Sequence, residues 1–325
     1  MSQFLSNCSI DLLKVAAQAL KNGSLVAFPT ETVYGLGADA TNALAVARIY
    51  TVKGRPFDHP LIVHIGDLKY LDKWISEMPE FAIDLARAFW PGPMTLILKR
   101  SELAKDFITG SQETVGIRIP DNSLALGLLV AFHNLGGNGI AAPSANRFGQ
   151  VSPTTAAAVK EEIGYFLEDS DFVLDGGPSA VGLESTIIDC TSSAPRILRP
   201  GAITQVMIES VAQVKVLENL DKDSTRIDIR VSGVLENHYA PKAKVILDQT
   251  PVAGSGYIAL GNIPTPAGVV RLAAPKSVEE FAQVLYESMR EGDHKNLATI
   301  YVEQPTGEGL AIAIRDRLSR SARGR

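Results

Sequence analysis

Cysteine is nearly absent from this chain: 325 residues contain two, Cys8 and Cys190. Lying so far apart, they support neither a disulfide framework nor a cysteine zinc site, which fits a reducing compartment. Long apolar runs are missing as well. No stretch of about 18 apolar residues occurs, and the opening "MSQFLSNCSIDLLK" has neither a basic start nor a long apolar core, so no membrane is implied and a cytoplasmic location is expected. Positive charge is not in surplus. A net charge of −5 without interleaved basic and aromatic residues weighs against an RNA-binding regulatory module that turns over no ATP, the alternative that salt-dependent RNA binding would favour. The basic end "SRSARGR" reads as a solvated tail.

Familiar nucleotide and hydrolase signatures are lacking too. There is no G-x-x-x-x-G-K-[ST] loop, no H-E-x-x-H and no G-x-S-x-G. "GLGADA" and "GNGIAA" loosely resemble a dinucleotide turn. The second follows a helical pattern and precedes a strand, the reverse of the required order, while "PTETVY" separates the first from its strand. A dinucleotide-dependent oxidoreductase is therefore disfavoured, and any nucleotide must be held by another scaffold.

What is present is an α/β pattern. With 46% hydrophobic and 21% charged residues, the chain can bury two cores. The spacing of Leu13, Ala16, Ala17 and Leu20 predicts a helix that Ser9 can cap and Gly23 can end. Helical patterns then alternate with "SLVAF", "LIVHI", "TLILK", "VGIRI", "GIAAP", "FVLD" and "STIIDC". This gives a first domain over 1–210, a polar linker over 211–243, and a small doubly wound, Rossmann-like α/β domain over 244–325.

Hydroxyl, amide and cationic side chains gather where the first-domain elements end. In "KGRP", Lys53 and Arg55 flank a glycine, and two cations there suit a polyanion or merely a helix C-terminus. Alternation in "LIVHI" sets Ile62 and His64 opposite Leu61, Val63 and Ile65, and in "VGIRIP" it sets Gly116 and Arg118 opposite the apolar face. Arg118 can clamp a carboxylate or reach solvent; His64 reads equally as a structural histidine. "PSANRFGQVSP" offers Ser144, Asn146 and Ser152 among small neighbours, or a plain turn. "LEST" starts a strand at Ser185, and Arg199 stands before Pro200, which holds it extended.

In this order, "FPTETVYGLG", "KGRP", "PLIVHI", "WPGPMTLIL", "VGIRIP", "PSAN", "STIID" and "RPGAI" resemble the threonylcarbamoyl-AMP synthase family, with its YrdC-like α/β catalytic domain, over roughly Val15 to Ile203. "HYAPKAKV" and the last domain resemble its long, two-domain members. The resemblance implies synthesis of threonylcarbamoyl-adenylate and pyrophosphate from L-threonine, bicarbonate and ATP, with Mg²⁺ arriving with the ATP, and a functional link to a separate tRNA threonylcarbamoyl transferase, without a need for direct tRNA binding. It places Lys53 and Arg55, the expected catalytic pair, with His59, Ser144, Asn146, Ser152, Arg199 and Tyr239 around ATP. It places Thr32, His64, Arg118 and Ser185 around threonine, His64 serving as a base or only orienting the substrate. "PTETVYGLG" then forms one wall of the amino-acid pocket, its glycines letting the chain turn beneath Thr32. Two departures stand out: His59 replaces an asparagine common after the K-x-R motif, and the linker lacks the usual basic and aromatic lead-in.

Overall fold

In a computed structural model, residues 3–6, 10–217, 229–233 and 239–323 are described, so Cys8, Ser9 and much of the expected linker lie outside the described residues. Two sheets organise them. The larger has eleven strands, ordered Gln3–Ser6, Phe172–Asp175, Val26–Phe28, Gly35–Asp39, Ile140–Ala141, Ile62–His64, Thr114–Arg118, Met94–Arg100, Thr186–Asp189 and Arg196–Arg199, with Ile75–Glu77 paired to Met94–Arg100 off this path. It mixes parallel and antiparallel pairs, with three antiparallel pairs in succession from Val26–Phe28 to Ile62–His64. Its central strands are buried on both faces, so they read as continuous apolar runs instead of an alternation.

The stretch "FPTETVYGLG" differs from its sequence reading. Residues 35–39 form a strand antiparallel to Val26–Phe28, so "PTETVY" is the loop of a hairpin and does not lead into a helix. Gly35 and Gly37 sit within that strand and do not shape a turn. A Cβ on Gly37 would stand 2.8 Å from the Phe28 ring and 2.7 Å from Ile140, so glycine leaves room for side chains of the two flanking strands.

The smaller sheet is all parallel, ordered Lys244–Leu247, Thr299–Val302, Gly256–Ile258 and Val270–Ala273. Helices Val278–His294 and Leu310–Arg323 bury Phe281, Leu285, Met289, Ile314 and Leu318 in one cluster with Val245, Ile258, Ile300 and Val302. Val33, Val151 and Leu183 of the larger unit belong to that same cluster, so the two units share apolar core. The basic end is helical as far as Arg323: Ser321 is buried and donates from Oγ to the Tyr239 carbonyl at 2.8 Å. Helix Gln205–Ala212 runs across the expected start of the linker at residue 211. Among the described residues, no helix is long and apolar enough to cross a membrane.

Candidate active site

Helix Ala43–Lys53 explains where the cations of "KGRP" go. Asn42 caps its start, accepting from the backbone N–H groups of Leu44 and Ala45, and Gly54 ends it in the left-handed conformation at φ 61°. That reversal sends the flanking side chains apart. Lys53 is buried and donates to the carbonyls of Ser144 and Asn146, each at 2.5 Å. Arg55 turns the other way and donates from Nη2 to Pro60 O at 2.9 Å and to Ser232 Oγ at 3.1 Å. Lys53 thus fastens the "PSAN" segment from behind, and the two cations do not converge on one point. Burial, then Arg55, pushes the Lys53 ammonium well below its usual range; burial lowers Arg55 to about 10.

His64 and Arg118 come together by strand register. Ile62–His64 runs parallel to Thr114–Arg118, with His64 opposite Arg118. Arg118 does not reach solvent: it is 5% exposed and lies 2.7 Å from Glu31 of the hairpin loop. The pair is close but poorly aligned, for among the described residues both Glu31 oxygens and Arg118 Nε and Nη2 find no hydrogen-bond partner. Burial, reinforced by the Arg118 charge, holds the His64 imidazole down to about 3, so it is neutral, and its Nδ1 has no partner among the described residues. Thr30 donates its single hydroxyl proton to Val33 O at 2.6 Å, so in the 2.8 Å contact between Thr30 and Thr32 the donor is Thr32. Thr32 Oγ1 therefore keeps its lone pairs.

One cleft collects these groups. Of the twelve residues expected at the site, Thr32, His64, Arg118, Ser185, Arg55, Ser144, Arg199 and Tyr239 line it. Lys53, His59, Asn146 and Ser152 are not on its wall. Asn146 folds its own loop, donating from Nδ2 to Arg147 O and Gln150 O at 2.8 Å. His59 packs edge-on against Phe148, and Ser152 donates from Oγ to Glu184 Oε1 at 2.6 Å. Arg199 is not a surface residue; it is buried and donates to Ser185 O through Nε at 3.1 Å and Nη2 at 2.9 Å, and to Ser232 O through Nη1 at 2.9 Å. Tyr239, 1% exposed with φ 62°, closes one side against Gly233, where φ is 80° and an added Cβ would stand 2.2 Å from the Tyr239 hydroxyl oxygen. Three buried guanidiniums around one cleft make it a receptor for anions.

A family model described as "Telomere recombination" matches residues 18–201, and one described as "Threonylcarbamoyl-AMP synthase, C-terminal domain" matches residues 203–323. A threonylcarbamoyl-AMP synthase of Pyrococcus abyssi is 37% identical, the match covering 95% of this chain and 94% of that protein. Another from Bacillus subtilis is 38% identical over 95% of this chain and 92% of its own length. The chain belongs to the threonylcarbamoyl-AMP synthase family. The fold agrees: the crystal structure of P. abyssi Sua5 complexed with L-threonine superposes with a TM-score of 0.86 at 35% identity, covering 99% of this chain and 98% of that one.

For this member of the threonylcarbamoyl-AMP synthase family, sequence reasoning missed Glu31, Glu184, Ser232, Tyr286 and Arg317. Glu31 stood inside the quoted "PTETVY", and its burial beside Arg118 depends on a hairpin that was not foreseen. Glu184 precedes the noted Ser185, yet its partners Tyr286 and Arg317 come from the other domain. No periodicity connects residues 133 apart in the chain, as Glu184 and Arg317 are.

Proposed function

We propose that the protein makes L-threonylcarbamoyl-adenylate and pyrophosphate from L-threonine, bicarbonate and ATP, supplying a separate transferase that modifies tRNA. The observation that carries this reading is the single cleft lined both by Thr32, His64 and Arg118 and by Arg55 and Arg199, with Ser185 hydrogen-bonded to Arg199. Arg118 is assigned the threonine carboxylate, for which a guanidinium fork is suited, and the Thr32 lone pairs accept from the substrate ammonium or hydroxyl. His64, neutral in its dry setting, orients threonine. Arg55 and Arg199 are assigned the triphosphate, Ser144 and Tyr239 flank the nucleotide, and Lys53 and Asn146 hold the "PSAN" loop against it.

Threonine's amine gives a carbamate with bicarbonate, releasing water. A carbamate oxygen attacks the α-phosphorus, the bond to the β-phosphate breaks, and pyrophosphate leaves. Positioning and charge stabilisation do most of this work. Magnesium belongs here to the substrate, as Mg-ATP: no cluster of three or more metal-ligating side chains occurs among the described residues, and the oxygens of Glu184 are engaged by Ser152, Tyr286 and Arg317. Bound to the phosphates, it neutralises charge on the departing pyrophosphate. Buried guanidiniums in a cleft do not make the exposed basic face that a nucleic-acid module needs. ATP use and a tRNA-directed product suit a cytoplasmic location.

The test is direct. Folded protein incubated with ATP, L-threonine, bicarbonate and Mg²⁺ should yield threonylcarbamoyl-adenylate by mass spectrometry. Persistent absence of that product would sink the proposal.

A further inference from the structure

Glu184 is a carboxylate on the wall of a cleft that gathers three guanidiniums, and it sits there 6% exposed. Left alone it would repel a polyphosphate. Its partners come largely from the C-terminal unit. Arg317, fully buried in helix Leu310–Arg323, donates from Nε to Glu184 Oε2 at 2.9 Å and from Nη2 to Pro200 O at 3.0 Å. The Tyr286 hydroxyl, from helix Val278–His294, donates to Glu184 Oε2 at 3.0 Å, while Ser152 of the catalytic unit donates to Oε1 at 2.6 Å. The Arg317 guanidinium also lies 5.4 Å from the ring centre of Tyr239, and Tyr239 stacks on Tyr286 at 5.8 Å. The whole cluster therefore joins the second domain to the cleft wall.

We propose that Arg317 is a positioning residue for the adenylation reaction, cancelling and fixing the Glu184 charge so that the cleft stays receptive to ATP phosphates. This rests on the proposed assignment of ATP to the cleft. It gives the C-terminal unit a task in nucleotide binding that goes beyond packing. Burial by itself would raise the Glu184 carboxyl, but Arg317 and then Arg199 overcome it and hold the group at about 2. The remaining groups around it are the Tyr239 and Tyr286 hydroxyls, the Ser152 hydroxyl and the Asp316 carboxylate beside Arg317. With Arg317 gone, Glu184 would exchange its charge for a proton as pH falls.

Calorimetric titration of Mg-ATP into the full chain, between pH 6 and 9, separates charge from packing. Arg317→Met should raise the dissociation constant about 10-fold or more at pH 9, with the ratio to the parent shrinking toward pH 6 as Glu184 takes up a proton. Glu184→Gln should act in the opposite direction, tightening ATP about 3-fold or more because Arg317 is left uncancelled. The double variant should return to within about 3-fold of the parent and lose the added pH dependence. Loss of affinity in Glu184→Gln, or no change, overturns the proposal, as does an Arg317→Met defect equal at all pH values. If Arg317→Met does not fold, Glu184→Gln alone decides by its sign. A parent that does not bind Mg-ATP overturns the inference. A parent that binds Mg-ATP yet forms no threonylcarbamoyl-adenylate refutes the proposed reaction instead, leaving the charge effect to be judged from these titrations.

Discussion

His64 and Arg118 meet because two parallel strands are in register, whereas Arg55 and Arg199 meet at Ser232, on a segment that connects one domain to the next. The first end of the cleft is fixed by ladder hydrogen bonds of the large sheet, and a one-residue slip would turn both side chains away. The second end joins Arg199, which ends a strand at the edge of the same sheet, to Arg55 on a loop, through side-chain bonds to Pro60 and Ser232. A strand-built wall presents the same groups whether or not ligand is there. A wall of exchangeable arginine contacts can trade a serine for a phosphate oxygen. Rigid recognition of a small amino acid and adjustable capture of a triphosphate are thus assigned to the construction that suits each.

Arginine substitutions at the two ends test that division with the largest effects. Arg118→Ala should weaken threonine binding roughly 10- to 150-fold, the equivalent of about 1.5 to 3 kcal/mol for a lost charge-assisted hydrogen bond, and leave ATP within about 3-fold. It should also destabilise the fold by about 3 to 5 kcal/mol, because Glu31 is left buried without its cation. Adding Glu31→Gln should recover much of that stability in urea unfolding but none of the threonine affinity. Arg55→Ala should show the mirror image in calorimetry, weakening ATP by a similar factor while sparing threonine. If the two ligands exchange places between these variants, the assigned ends are reversed although the family is unaffected.

The same contrast decides what could be read from the chain. Alternation in "LIVHI" and "VGIRIP" already set His64 and Arg118 away from the apolar faces, and that local rule survives folding. The K-x-R motif was read as two cations on one target, yet the left-handed Gly54 divides them, and only Arg55 reaches the cleft. Helix Ala43–Lys53 follows from local signals, because its cap, apolar content and terminal glycine agree. The hairpin strand Gly35–Asp39 was missed because glycines on a buried strand look like turn residues when the side chains of the flanking strands are unknown. Glu184 with Arg317 was out of reach for a similar reason: an ion pair between domains leaves no local pattern.

A middle-sized effect is expected at Tyr239, where the connecting segment completes the cleft. Its ring is buried against Tyr286, and its carbonyl is held by Ser321. We expect Tyr239→Ala to speed loss or hydrolysis of bound threonylcarbamoyl-adenylate several-fold, by opening the reacting anhydride to water. Rapid-quench measurement of adenylate lifetime checks this, with circular dichroism to confirm folding. A lifetime equal to the parent's would show that this wall does not retain product, and the adjustable end would lose its closing role.

The smallest effect probes the dryness of the strand-built end through His64. Above pH 6.5 the imidazole is neutral in both folded and unfolded chains and contributes no pH dependence. Below that value the unfolded chain takes up a proton, while the folded one, held down to about 3 by burial and by Arg118, does not. Stability present above pH 6.5 is therefore lost progressively as pH falls toward 3, at about 1.4 kcal/mol per pH unit. Urea unfolding at pH 7.5 and pH 5.5 should show the parent losing about 1.4 kcal/mol more than His64→Gln over that interval. An equal loss in both would mean that water or a counter-charge reaches the ring, and the strand-built end would then be no more rigidly sealed than the other. The same low basicity bears on catalysis. A group that stays neutral down to about 3 is a poor acceptor for an ammonium proton, so the pH profile of adenylate formation should carry no step near 6.5 from His64, and a step there that disappears in His64→Gln would restore it as a base.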